Sequence, residues 1–221
     1  MNTCEISFNG LKICHISKPT LKNSYISISK DSTITLKTPS VSDLFIKRLL
    51  SKKESWIKNQ LLKLKQNPPI IVNLEDEVLL FGEIYSIDRP EANKLRISLK
   101  KLKKPSKSNI LKSYDDFYKS HAEEYLNIRT KQLSKIMNLE YEELKFRKMK
   151  SRWGSCSSKK VITFNTKLMK LDKKLIDYII VHELSHLVHM NHSKKFHSLV
   201  NRYMPDSKDL DNRLKSINLL D

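Results

Sequence analysis

The stretch Asp177-Tyr178-Ile179-Ile180-Val181-His182-Glu183-Leu184-Ser185-His186-Leu187-Val188-His189-Met190-Asn191-His192-Ser193-Lys194-Lys195-Phe196-His197 holds five of the chain's seven histidines. His182 and His186 stand four residues apart on a segment of helical apolar period. Both imidazoles therefore fall on one face and can reach one metal ion, with Glu183 beside the first. Leu175, Ile176, Ile179, Ile180, Val181, Leu184, Leu187 and Val188 make that helix apolar almost all round, which places it in a core. Two imidazoles and a carboxylate on a buried helix are costly unless hydrogen-bonded, paired or metal-bound. A metal site accounts for all three together; the competing reading is a helix whose His and Glu merely satisfy core hydrogen bonds.

A catalytic zinc takes three protein ligands and keeps a fourth position for water. His189 follows His182 by seven residues and would lie about 10 Å further along a straight helix, too far for easy closure. His192 comes after the turn-tolerant Met190-Asn191 and can fold back, which makes it the favoured third ligand. His197 competes with it, and a carboxylate stays open.

Working outward, SRWGSC (Ser151 to Cys156) and ITFN (Ile162 to Asn165) read as strands packed on this helix. Trp153 reads as core or cleft wall, and Asn165 as turn or strand structure with a cleft-lining role open. Cys156 reads as structural, because nothing around it would activate a thiolate. Asp172 reads as the helix N-cap. Arg147, Lys148, Lys150, Arg152, Lys159 and Lys160 crowd the approach.

Further upstream, residues 5–37 are short and β-like, with a hairpin at 25–28 and 34–36. A helix is expected from about Ser42 to Gln66, where Ile46, Leu50, Ile57, Leu61 and Leu64 recur at helical spacing, Trp56 packs into the core, and Pro68-Pro69 forbids continuation. Residues 70–100 return to β character, with a turn at Gly82 and alternation at Leu95, Ile97 and Leu99. The run from Lys100 to Ser108 combines like charges with Pro and Ser and reads as a solvated linker, dividing 1–105 from 106–221. A helix of roughly 25 residues around Tyr114 to Leu126 follows, and then a strand at KFRKM. The fold class expected is α+β.

The 221 residues carry 42 Lys+Arg against 24 Asp+Glu, a formal charge of +18. Such a balance favours association with nucleic acid, anionic lipid or acidic substrates but says nothing of reaction. Only 3 Gly occur, with no GxGxxG or GxxxxGK[ST] string, which excludes those nucleotide-binding loops. The 3 Cys form no CxxC pair, the opening MNTCEISFNG has no basic start and apolar run, and no apolar stretch approaches a membrane span. A cytosolic protein without a membrane segment is expected.

WGSC (Trp153 to Cys156), ITFNTKL (Ile162 to Leu168), the histidine-rich stretch quoted above and MPD (Met204 to Asp206) together resemble the YgjP-like metallopeptidases, which group with the SprT-like and other minimal zincins. The Trp56 helix and the FGEIY hairpin (Phe81 to Tyr85) are similar in the same order. The resemblance implies a zincin-like core, its active-site helix packed on a small sheet, after an N-terminal β-rich α+β region with one long helix. It implies one zinc per chain held by His182, His186 and His192, Glu183 as the catalytic residue, and a peptide or protein substrate aligned along an edge strand. This chain departs from the family in having His197 where a Trp usually follows the Phe of the NHSxxF segment.

Zinc-activated water with Glu183 as proton acceptor gives hydrolysis, and Arg152, Asn165 and His197 are candidates for further oxyanion stabilisation. The expected function is a zinc-dependent cytosolic metallopeptidase, with possible nucleic acid contact through the basic surface. One alternative is a nucleoside triphosphate pyrophosphatase or phosphohydrolase, since the same water can attack phosphorus and the cations would welcome phosphate. A second is a nucleic-acid-binding protein with a structural zinc, against which the adjacent Glu and the open three-ligand pattern speak.

Overall fold

Asn9-Gly10 turns the chain between two strands, β1 (Asn2–Phe8) and β2 (Leu11–Ser17), and both residues adopt positive φ, 46° and 79°, as the tightest hairpin turns require. β3 (Tyr25–Ile28) and β4 (Ile34–Thr38) form the expected antiparallel pair, and β4 runs parallel to β2, giving the order β1-β2-β4-β3. The register sets Ile13 beside Ile34 and His15 beside Leu36, so alternate residues share one face. There Ile13, Ile34 and Leu36 are buried against Ile46, Leu50 and Ile57 of the helix α1 (Asp43–Gln66). His15 is buried on that face too, its Nε2 bonded to Thr38 Oγ1 at 2.9 Å. Trp56 is not in this core. It sits about 100° round the helix from Ile57 and is 42% exposed.

The computed structural model describes residues 2–29, 31–66, 72–74 and 76–217, and the chain divides into two compact units, Met1–Ile70 and Ile71–Asp221. Pro68 and Pro69, expected to end α1, lie outside the described residues. The division expected at 105/106 is corrected: it falls inside the second unit. The reason is packing, because Val78, Leu80, Ala92 and Leu95 are buried in one cluster with Tyr114, Phe117 and Ile179.

The second unit opens with the FGEIY hairpin, β5 (Glu77–Leu80) paired antiparallel with β6 (Glu83–Ser86). The strand expected at Leu95 to Leu99 is instead a helix, α2 (Asn93–Lys100), entered through a 3-10 turn at Pro90–Ala92. Proline at a first helical position presets that turn. Leu95 and Leu99, one turn apart, pack on the core while Ile97 is 45% exposed. The lysine-rich run then leads into α3 (Lys107–Met137), whose N-cap Ser106 accepts the Asn109 amide hydrogen.

α3 anchors its neighbours through polar tips on apolar bodies. The Tyr114 hydroxyl donates toward the carbonyls of Leu74 and Glu77, and that of Tyr118 to Leu79, which holds β5 in place. Arg129 makes a bidentate pair with Asp177, both contacts 2.7 Å, tying α3 to α4 (Lys173–Ser185). A three-stranded sheet of order β7-β9-β8 completes the layer, from β7 (Glu143–Arg147), β8 (Gly154–Cys156) and β9 (Val161–Asn165). β7 runs parallel and β8 antiparallel to β9, and α4 packs against β8. The last two helices are α5 (Lys194–Tyr203) and α6 (Ser207–Ser216). The α+β class holds, and no described helix is long and apolar enough to cross a membrane.

Candidate metal centre

Asp172 starts α4 as expected, its Oδ1 accepting the Leu175 amide hydrogen at 3.0 Å, while its Oδ2 receives Arg213 at 2.7 Å. The apolar residues after it bury the helix on several sides: Leu175, Ile176, Ile179, Ile180, Val181 and Leu184 are all in the core. His182 and Glu183 lie in its last turn and His186 at its C-cap. Tight turns through Leu187, Val188 and His189 end the helix, and Ser193 caps α5 by accepting the Phe196 amide hydrogen. This reversal returns His192 to the face of α4.

The ligand atoms of His182, His186 and His192 all lie within 4.8 Å of one another. Nε2 of His182 and Nε2 of His192 are 3.1 Å apart, close to the separation of about 3.3 Å for two nitrogens bound tetrahedrally at about 2.05 Å from one zinc. Nδ1–H of His186 donates to the His189 carbonyl at 3.0 Å, which leaves Nε2 with a free lone pair. Burial, and then the neighbouring His186 and His192, push the His182 imidazole down to about 4, so it is neutral and a competent ligand at ordinary pH. The three residues fit a zinc ion in donor type, number and tautomer.

Glu183 points elsewhere, toward β8. It is 5% exposed, and burial pushes its carboxyl up to about 8 against the opposing pull of Arg152. Its Oε2 has no hydrogen-bond partner among the described residues. An orphaned buried carboxylate oxygen beside three converging imidazoles is suited to receiving a proton.

Two residues of this centre escaped the sequence reading. Phe196, 1% exposed, sets its ring against all three imidazoles, with centroids 4.5 Å from His186, 4.8 Å from His192 and 4.9 Å from His182. Its signal was the fixed step of four residues after His192, beside the cap of α5. Gly154 matters through what it lacks: a Cβ there would lie 2.5 Å from Oε1 of Glu183. The glycine of WGSC gives the carboxylate its room.

The remaining candidates separate cleanly. Asn165 is fully buried and bonded to backbone groups, receiving the amide hydrogens of Met149 and Lys167 and donating to the carbonyls of Met149 and Arg152. It clamps the loop before β8. The carbonyl of Trp153 accepts the Asn165 amide hydrogen at 2.8 Å, and the Trp153 side chain packs on the core. The Arg152 side chain is exposed and acts on Glu183 through its charge. His197 lies outside the three-histidine group, its ring stacked 6.2 Å from His192. With Tyr178, His182, His192 and Asp211 it lines a cavity of about 720 Å³. Burial and the nearby Asp211, to which its hydroxyl donates, push Tyr178 up to about 12. Burial also raises the Cys156 thiol to about 11, in line with a structural role. Of the cations before the site, Lys148 is paired with Asp115 at 2.6 Å.

A family model of the YgjP-like metallopeptidase domain matches residues 22–217. No curated protein is a significant match. Among solved structures, the metallopeptidase zymogen abylysin of Pyrococcus abyssi is 23% identical with a TM-score of 0.37, the match covering 40% of this chain and 90% of that one. The metallopeptidase zymogen jannalysin of Methanocaldococcus jannaschii is also 23% identical, with a TM-score of 0.36 and coverage of 40% and 91%.

Proposed function

The chain belongs to the YgjP-like metallopeptidase family, and from that premise we propose that it is a cytosolic zinc peptidase in which His182, His186 and His192 hold one zinc per chain and Glu183 is the catalytic residue. The observation that carries this reading is the convergence of three imidazole nitrogens within 4.8 Å beside a buried, unpartnered carboxylate oxygen. A bound zinc ion supplies a Lewis acid for the scissile carbonyl and lowers the pKa of water toward about 7. Glu183, its carboxyl already raised by burial, takes the proton of the attacking water and returns it to the leaving amine. Phe196 fixes the three rings from behind. The edge strand β8, bordering Glu183, offers main-chain groups along which a peptide can lie. The three unpaired cysteines suit a reducing compartment.

Metal content and peptide cleavage, measured together on untagged protein, test this. About one zinc per chain is expected in the wild type and in Glu183→Gln, with substantial loss in His192→Ala. Cleavage of an unstructured protein such as casein should fall about 10²–10⁴-fold in Glu183→Gln. A wild type that takes up no transition metal on reconstitution overturns the assignment. Hydrolysis of nucleoside triphosphates but not of peptides, lost in Glu183→Gln, would keep the site and overturn the substrate.

A further inference from the structure

The exposed face of α1 has a pattern that the metal centre leaves unexplained. Phe45, Lys52, Trp56 and Lys63 follow one another at steps of seven, four and seven residues, which at 100° per residue keeps them within about 40° of one line along the helix. Aromatic and cation alternate along that line, with Phe45 and Trp56 about 16 Å apart. Phe45 is 45% and Trp56 42% exposed, large apolar rings left in water on the side away from the buried Ile46, Leu50 and Ile57. Arg48 and Lys65 flank the line and are exposed, as are Lys52 and Lys63. None of these four cations has an acidic partner among the described residues; the ion pair of this helix joins Lys58 to Glu54.

We propose that this face of α1 binds single-stranded nucleic acid, the rings of Phe45 and Trp56 stacking on bases while Arg48, Lys52, Lys63 and Lys65 meet the phosphates. A partner must be anionic, because the whole chain carries +18 and the face offers unpaired cations without acids. It must also present flat apolar groups at intervals between its charges, since rings and cations share one line. Single strands have both properties: every base has a π-face, and successive phosphates run alongside. An anionic membrane fits less well, for an interfacial helix gathers its apolar residues on one side and its cations on the other. A second copy of the chain would bring lysines against lysines. The inference is independent of the metal centre and of the peptidase reading.

The test uses full-length protein and a fluorescent 20-residue oligodeoxythymidylate, with binding followed by anisotropy over a range of salt. Binding at low salt that weakens steadily as salt rises is expected. Trp56→Ala should weaken it about tenfold without changing the salt slope, and Trp56→Phe should restore most of the loss, because a phenyl ring still stacks. Lys52→Glu combined with Lys63→Glu should lower the slope itself by about one. In Trp153→Phe protein, where Trp56 is the remaining tryptophan, the oligonucleotide should quench the emission. Absence of binding at low salt overturns the proposal. So does binding that ignores both Trp56→Ala and Phe45→Ala, or that is as tight for a duplex of equal length. Capture by phosphatidylserine vesicles without oligonucleotide binding would assign the face to membranes instead.

Discussion

α4 and α1 are both helices with apolar residues at helical spacing, yet they solve opposite problems. α4 buries nine of its 13 residues, Glu183 among them, whereas α1 buries three of its 24, Ile46, Leu50 and Ile57. Chemistry on α4 comes from taking ionisable groups out of water, which neutralises His182 and raises Glu183. On α1 the ionisable groups stay solvated, and any work they do depends on charge number and spacing. A buried helix can tune single residues; an exposed one can only arrange many.

That contrast predicts where substitutions hurt. Phe196→Ala should remove about 3–5 kcal/mol from the stability of the second unit and loosen all three imidazoles at once, read by thermal melting and by zinc retention. Leu50→Ala in the core beneath α1 should cost about 2–5 kcal/mol of the first unit's stability and leave zinc binding untouched. If both variants release zinc equally, the two helices are not the separate systems described. Gly154→Ala should leave melting nearly unchanged, because the atom it meets is the end of a side chain that can swing. It should still lower kcat about 100-fold by displacing the Glu183 carboxylate, with zinc content intact.

Smaller effects sharpen the comparison. Cys156, with its thiol raised to about 11 against an ordinary value of 9.0, should alkylate about 100-fold more slowly than an unperturbed thiol below pH 9. Its rate should keep rising with pH up to about 11, since the thiolate is the reacting form. Trp56→Ala should change stability by no more than about 0.5 kcal/mol, as a solvated position allows. A loss of several kcal/mol in a melting experiment would mean that Trp56 belongs to the core after all.

Much of this was readable in the residues, for identifiable reasons. The histidine spacing, the all-round apolar character of α4 and the cap at Asp172 are local signals, and local geometry obeyed them. α2 was misread because Leu95, Ile97 and Leu99 satisfy a strand's alternation, while Leu95 and Leu99 alone satisfy a helix turn, and Pro90 was the signal that should have decided. Trp56 was misplaced by the general tendency of tryptophan to be buried, although its position about 100° from Ile57 already turned it off the apolar stripe. The division at 105/106 followed charge, whereas the chain divided by burial: Val78 and Leu95 had already committed their segment to the second core. Phe196 and Gly154 were missed because their roles are contacts with α4 from α5 and β8, which no spacing within a single segment encodes.

The order of the two units along the chain sets a schedule. Residues 1–70 form their own core, while the three histidines, β8 and Asp211 all come from beyond residue 150. A ribosome adding about 5–20 residues per second makes the last residue of the first unit several seconds or more before His182 exists. The basic helix can therefore fold and meet a partner while the histidines are still unmade. The newborn chain can be tethered before it can cut.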